Sequence, residues 1–266
     1  MQPVDYVTLE YSEPKGRVAL REITGHEEWL VNSSHTLIAI QLIDQLMMDV
    51  PGTTWTPGSA AQLTAADRDR LLVAIYQRCY GSWVISTISC RHCGKIFDLN
   101  FDLLELDNSI HSNGSILALN RQGEQYILPD SYRFRLPTGE DELAISQLDQ
   151  DEALQELMHR CFSDQKKELT QEDLDIIATS APLMDLELTA SCPECGQDQL
   201  VHFNLQNFLL TAMQAEQPRL AREIHLLAIN YGWGLNEILS LTRSQRRTFV
   251  KLIEDQLSQH KLRLQP

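Results

Sequence analysis

The stretch ISCRHCGKIFDLNF at residues 88–101 places Cys90 and Cys93 two residues apart, follows them directly with Gly94, and flanks them with alternating, strand-like residues. Two residues between thiolates let both sulfurs turn to one ion, and the glycine can take the positive φ that brings backbone N–H groups round toward the sulfurs. A pair of cysteines is half of a four-ligand tetrahedral site. The other half stands in LTASCPECGQDQLVHFNL at 188–205, where Cys192, Cys195 and Gly196 repeat the pattern. In each copy an alternating strand ends one residue before the first cysteine, and a second strand follows the glycine. Strands on both sides disfavour a redox Cys-x-x-Cys, which opens a helix in a βαβ unit.

Two such tips facing each other make a closed Cys₄ set, and a closed set is structural because it keeps no position for water. The expected cofactor is a structural Zn²⁺ on Cys90, Cys93, Cys192 and Cys195. Binding worth roughly 10–16 kcal/mol exceeds the closure entropy of the intervening loop, which grows only logarithmically with length. His92 and His202 read as surface groups beside the knuckles. Cys79 and Cys161, alone inside helical patterns, read as small buried apolar residues.

Composition adds bounds. The 266 residues carry 43% hydrophobic and 22% charged side chains, as an ordinary globular chain does. No apolar run is long enough to span a bilayer and no secretory signal opens the chain, so the expected location is cytoplasmic. The formal charge of −15 is uneven. Residues 1–217 hold 14 Lys/Arg against 33 Asp/Glu, and residues 218–266 hold 8 against 4. An acidic body disfavours nucleic acid, whose binding depends on neutralising phosphates. The sequence contains no P-loop, GxGxxG, GxSxG or HExxH pattern, and no enzymatic activity is expected.

Periodicity predicts strands at 6–10, 18–21, 115–120, 124–128 and 132–136, and helices at 27–31, 35–48 (capped by Ser34), 65–80, 141–147, 151–162 and 171–180. Thr64 with Asp67, and Thr170 with Asp173, mark two helix starts. The run Asp67-Arg-Asp-Arg reads as a solvated first turn. PGTTWTPGSA at 51–60 reads as a loop or linker. Beyond the second knuckle the pattern is helical throughout, at 205–214, 219–231, 235–240 and 243–260, broken by Gly232-Trp-Gly. This basic tail is an amphipathic hairpin whose Trp233, Ile238, Leu239, Arg243, Arg246 and Arg247 either dock on the acidic body or grip another subunit. The expected fold class is α+β: a split four-cysteine zinc ribbon with surrounding helices and a C-terminal helical hairpin. The expected division is 1–60, 61–205 and 206–266.

The ordered set LTAADRDRLLVAIYQRCYG, ISCRHCGKIFDLNFDL, YRFRLPTGED and LELTASCPECG resembles the T-even phage baseplate protein family of contractile tails and contractile injection systems, over roughly 15–205. The terminal YGWGLNEILSLTRSQRRTFVKLI is similar to a helical module of tail-locus proteins, over 219–257. The resemblance implies a structural subunit of the particle that binds other baseplate, hub or tube subunits and takes no small-molecule substrate. A transient assembly chaperone and a zinc-ribbon nucleic-acid adaptor are the alternatives.

Overall fold

The computed structural model describes residues 5–114, 120–123, 125–129, 131–162 and 169–263. Strands β1 (Asp5–Leu9), β2 (Gly16–Leu20) and β3 (Met47–Met48) form an antiparallel sheet in that order, with Val7 opposite Val18 and Leu20 opposite Met47. Helices α1 (Gly25–Leu30) and α2 (Thr36–Leu46) fill the connection from β2 to β3. The second is shorter than expected: its N-cap is His35 rather than Ser34, and Met47 and Met48 leave the helix to pair with β2. Ile40, Leu42, Ile43 and Leu46 of α2 are buried, and each such side chain contributes roughly 1.5–3 kcal/mol.

Residues 51–60 are a packed loop, not a free linker. Trp55 is buried there, and its Nε1 donates to the Pro14 carbonyl at 2.9 Å. Helix α3 (Ala65–Tyr80) starts where expected, with Thr64 Oγ1 accepting the Asp67 N–H. Its first turn does not face water. Asp67 is fully buried, and its carboxylate accepts the N–H groups of Glu10, Tyr11 and Ser12 at 2.8, 2.9 and 2.5 Å. Asp69 accepts the Met184 N–H at 2.9 Å, and burial pushes its pKa up to about 6. Arg68 is buried against Glu142, giving both its contacts from Nη2 at 2.9 Å. Acids at a helix start serve the dipole whichever way they point. Here they point at other segments, so one helical turn fixes the N-terminal sheet and the approach to the second knuckle.

The two knuckles lie in a longer repeat than the cysteines alone suggest. From α3 the chain enters β4 (Trp83–Ser89), turns at the first knuckle, returns along β5 (Ile96–Asp102) and passes into α4 (Leu103–Gly114). Helix α4 is unanticipated. Asp102 closes the strand and also caps the helix, accepting the N–H groups of Leu104 and Glu105 at 2.8 and 3.2 Å.

The middle of the chain holds β6 (Asn120–Gln122), β7 (Gln125–Ile127) and β8 (Arg133–Phe134), an antiparallel sheet in that order. The hairpin anticipated at 115–128 is present over 120–127; residues 115–119 and 124 lie outside the described ones. The strand expected at 132–136 is reduced to its centre, where Phe134 stacks on Tyr126 and Phe162 with ring centroids 5.4 and 5.6 Å apart. Helices α5 (Gly139–Ile145), α6 (Gln150–Cys161) and α7 (Gln171–Ser180) follow. Arg135 pairs with Asp141 at 2.5 Å in the first turn of α5. Although burial opposes it, hydrogen bonding by Arg135 and Thr138 holds the Asp141 carboxyl down at about 2. Thr170 and Asp173 form the anticipated capping box of α7.

The second copy of the repeat runs from α7 through β9 (Asp185–Ser191), the second knuckle and β10 (Asp198–Asn204) into α8 (Leu205–Ala215). Asn204 caps α8 by accepting the Asn207 N–H at 2.9 Å, as Asp102 caps α4. Leu103 and Leu205, one residue after each cap, are both fully buried. Phe101 and Phe203, one residue before, meet edge to face at 5.0 Å.

Helices α9 (Gln217–Tyr231), α10 (Leu235–Leu239) and α11 (Arg243–Arg263) close the chain. Gly232 ends α9 in the left-handed conformation at φ 70°. One hydrophobic core draws on Leu9, Leu42, Leu72, Leu103, Phe203 and Met213, spanning the N-terminal sheet, both hairpins and α8. Leu227, Ile238 and Ile253 form a separate small core for the last helices.

Candidate metal centre

Each knuckle is built by the same backbone contacts. Cys90 N–H donates to Lys95 O at 2.8 Å and Gly94 N–H to Cys90 O at 2.9 Å; in the second copy Cys192 N–H donates to Gln197 O at 3.0 Å and Gly196 N–H to Cys192 O at 2.9 Å. Gly94 and Gly196 have φ of 70° and 69°, a conformation that side chains with a Cβ rarely adopt. The two tips meet. Cys90 Sγ lies 3.7 Å from Cys195 Sγ, Cys93 Sγ lies 3.8 Å from Cys192 Sγ, and all four sulfurs lie within 4.8 Å of one another. The residues expected to share an ion are therefore together, and they can hold one. The inner pair, Cys90 and Cys192, is buried; the outer pair, Cys93 and Cys195, is exposed.

The sulfurs are not equivalent. Backbone N–H groups, that of Cys93 first and that of His92 after it, bring the Cys90 thiol down to about 6. Gln197 N–H acts to lower Cys195, but desolvation and hydrogen bonding with the other three thiols push it up to about 12. An ion that replaces these shared protons removes the conflict, because thiolates rather than thiols are the ligands.

Gln199 completes the site and gave no sign of doing so in the sequence. It is buried on β10, its Oε1 accepts the Arg91 N–H at 2.8 Å, and its Nε2 donates to Ser89 O at 3.2 Å. One amide from the second hairpin thus holds the backbone on both sides of Cys90. The matching position in the first hairpin is Phe97, which packs with Cys90, Ala190 and Cys192. His202 points away from the sulfurs, toward Asp185 and Glu187 at 3.1 and 3.4 Å, and His92 is exposed. Burial pushes both remaining thiols, Cys79 and Cys161, up to about 11, which leaves them inert.

The residues expected to grip a partner have a different placement. Ile238 and Leu239 are buried. Arg243 and Arg246 both pair with Glu28 of α1; Arg243 also reaches Glu216 at 2.7 Å, and Arg246 reaches Glu223 at 3.1 Å. Arg243 lies over the Tyr80 ring at 5.2 Å. Gly25 allows the close approach, since a Cβ there would stand 2.9 Å from a Leu239 methyl and 3.0 Å from its Cα. The expectation that these four side chains face a neighbour is corrected: desolvated arginines need carboxylates, and this chain supplies them from α1 and α9. Arg247 is half-buried near Glu216 at 3.4 Å. Trp233 is half-buried too, stacked on Tyr231 at 4.8 Å and edge-on to Phe249 at 5.0 Å.

No curated protein and no solved structure matches the chain. A family model described as T4 bacteriophage base plate protein matches residues 7–210, which take in both knuckles, the α3 turn that ties the N-terminal sheet to them, and the start of α8. With more than three quarters of its length covered, the chain belongs to the T4 bacteriophage base plate protein family.

Proposed function

We propose that the protein is a zinc-stapled structural subunit of the baseplate of a contractile tail or injection system, binding neighbouring baseplate, hub or tube subunits. The family match supports the baseplate role, and the convergence of four sulfurs from the two hairpins supports the staple. A tetrahedral ion with bonds to sulfur of about 2.3 Å has S···S edges of about 3.8 Å. The Cys90–Cys195 and Cys93–Cys192 sulfur separations, 3.7 and 3.8 Å, match that edge. Zinc bound by Cys90, Cys93, Cys192 and Cys195 supplies a cross-link instead of a reactive centre, since four thiolates fill its coordination.

The surrounding residues do the rest. The Gly94 and Gly196 turns aim the sulfurs, Gln199 fixes one knuckle against the other, and one turn of α3 joins the N-terminal sheet, through Asp67, to the approach to the second knuckle, through Asp69. The result is a rigid acidic wedge with a helical module pinned to it by Glu28. The module keeps Trp233 and Arg247 partly at its surface for a neighbour. No helix among the described residues is long and apolar enough to cross a membrane.

Mass spectrometry of purified mature particles tests the role. A permanent subunit is present at a fixed ratio to other baseplate proteins. Presence in assembly intermediates alone would assign the chain a transient, chaperone-like part instead. A parallel preparation with a chain stopped before Pro218 separates the wedge from the helical module: equal recovery of partners would remove the module from partner binding.

A further inference from the structure

The two hairpins share a backbone but not an outer face. On the first, Trp83, Ile85 and Ile96 are 57%, 69% and 72% exposed. The same positions of the second hairpin carry Asp185, Glu187 and Asp198, all exposed. The pairing registers match, with Trp83 opposite Asp102 where Asp185 is opposite Asn204, and Ile96 opposite Ser89 where Asp198 is opposite Ser191. The fold itself therefore does not require apolar side chains at these positions, because its own second copy is built with carboxylates there. The reverse exchange, Asp98 against exposed Leu200, occurs once.

Charge follows the same division. Residues 185–204 hold four carboxylates and no Lys or Arg, whereas in 83–102 Arg91 and Lys95 balance Asp98 and Asp102. The outer face of the first hairpin has no net charge on an acidic body: Trp83 and Ile85 lie toward its base and Ile96 near its tip, with Thr87, Asp98 and Asn100 between them and two exposed cations at the tip. Exposed aromatic and β-branched residues grouped on one face mark an interface more often than isolated ones do.

We infer that the outer face of β4 and β5 docks in an apolar groove of a different baseplate subunit, one whose carboxylates meet Arg91 and Lys95; this rests on the baseplate reading above. A second copy of the chain fits poorly. Three side chains of this size offer on the order of 400 Å² of apolar surface. Two such faces together reach ~800 Å², short of the ~1,200 Å² at the low end of stable interfaces. Two bodies of net charge −15 also repel. A groove that wraps the hairpin removes both objections.

The test transplants the protein's own second hairpin. In cells producing the particle, the triple variant Trp83→Asn, Ile85→Glu, Ile96→Asp is compared with wild type; Asn stands in for Asp at 83 because Asp102 lies directly opposite, where the second hairpin has Asn204. A photoreactive benzoylphenylalanine is placed at residue 85 in one wild-type background and at residue 187 in another. Expected are a wild-type metal content and thermal midpoint in the triple variant, with a drop of about tenfold or more in its incorporation into baseplates. Position 85 should crosslink to a non-identical particle subunit and position 187 should not. Equal incorporation of variant and wild type, or a crosslink from 85 to a second copy, overturns the inference while leaving the baseplate reading intact. Absence of the wild-type chain itself from particles and their intermediates overturns both.

Discussion

Asp67 is the most informative single side chain to remove. It is fully buried, and its two oxygens accept three backbone N–H groups from the segment after β1. Asp67→Ala leaves those donors without an acceptor. The Ser12 N–H is buried and costs about 1–3 kcal/mol when unpaired; those of Glu10 and Tyr11 are partly wet and cost about 1 kcal/mol each. Loss of an acid in the first turn of α3 adds roughly 0.5 kcal/mol. The sum is about 3.5–5.5 kcal/mol, on the order of 10 °C in the midpoint of a chain this size. Asp67→Asn keeps one acceptor oxygen and should lose about half as much. Urea unfolding read by Trp fluorescence gives the energy, and amide exchange at residues 10–12 gives the place. Asp151→Ala, which also removes a carboxylate from the first turn of an exposed helix, serves as the charge control and should stay within about 0.5 kcal/mol. A loss below about 1 kcal/mol with exchange at 10–12 unchanged would refute the reasoning, because the three contacts would then be carrying no load.

Three more perturbations separate other parts of the structure. Asp69 has a folded pKa of about 6 against an ordinary 3.8, so the folded chain holds its proton more tightly and stability falls as pH rises through that window, by up to about 3 kcal/mol. Asp69→Asn, which still accepts the Met184 N–H, should remove that fall between pH 4 and 6; unfolding curves of wild type and variant that stay parallel across the window would count against it. Arg246→Ala leaves Glu28 and Glu223 short of a buried partner and should cost about 3–5 kcal/mol locally, loosening residues 217–263 to exchange and protease while the main core keeps its midpoint; unchanged protection of α9 and α11 would contradict this. Gln199→Ala should speed zinc release to a chromophoric chelator by about 10–100-fold, since the amide that orients Cys90 through its neighbours is gone, whereas Phe97→Leu should change release far less; equal release from wild type and Gln199→Ala would remove the glutamine from the site.

What the sequence revealed is what local pattern controls. Alternation in 83–89 and 185–191, followed by Cys-x-x-Cys-Gly, placed both hairpins, and the Thr170 capping box placed α7 to the residue. The hidden features depend on contacts between distant segments. Asp67 and Asp69 look like any acids at a helix start, and only the backbone of residues 10–12 and 184 shows which way they face. Glu28 meets Arg243 and Arg246 across more than 200 residues, so neither end of that cluster signals its partner. Helix α4 was missed because Asp102 belongs to two elements at once, last in the β5 register and first in the cap. Trp55 shows why a Pro- and Gly-rich stretch is a poor guide to a linker: one aromatic ring with a hydrogen-bond partner is enough to pin it.

Metal analysis of natively purified, reduced protein tests the central claim most directly. Plasma mass spectrometry on wild type and on the double variant Cys93→Ser, Cys195→Ser should find one zinc per wild-type chain and none in the variant, with the variant's two hairpins parting in amide exchange. Wild-type protein that folds with no stoichiometric metal, or a variant that retains it, would contradict the account.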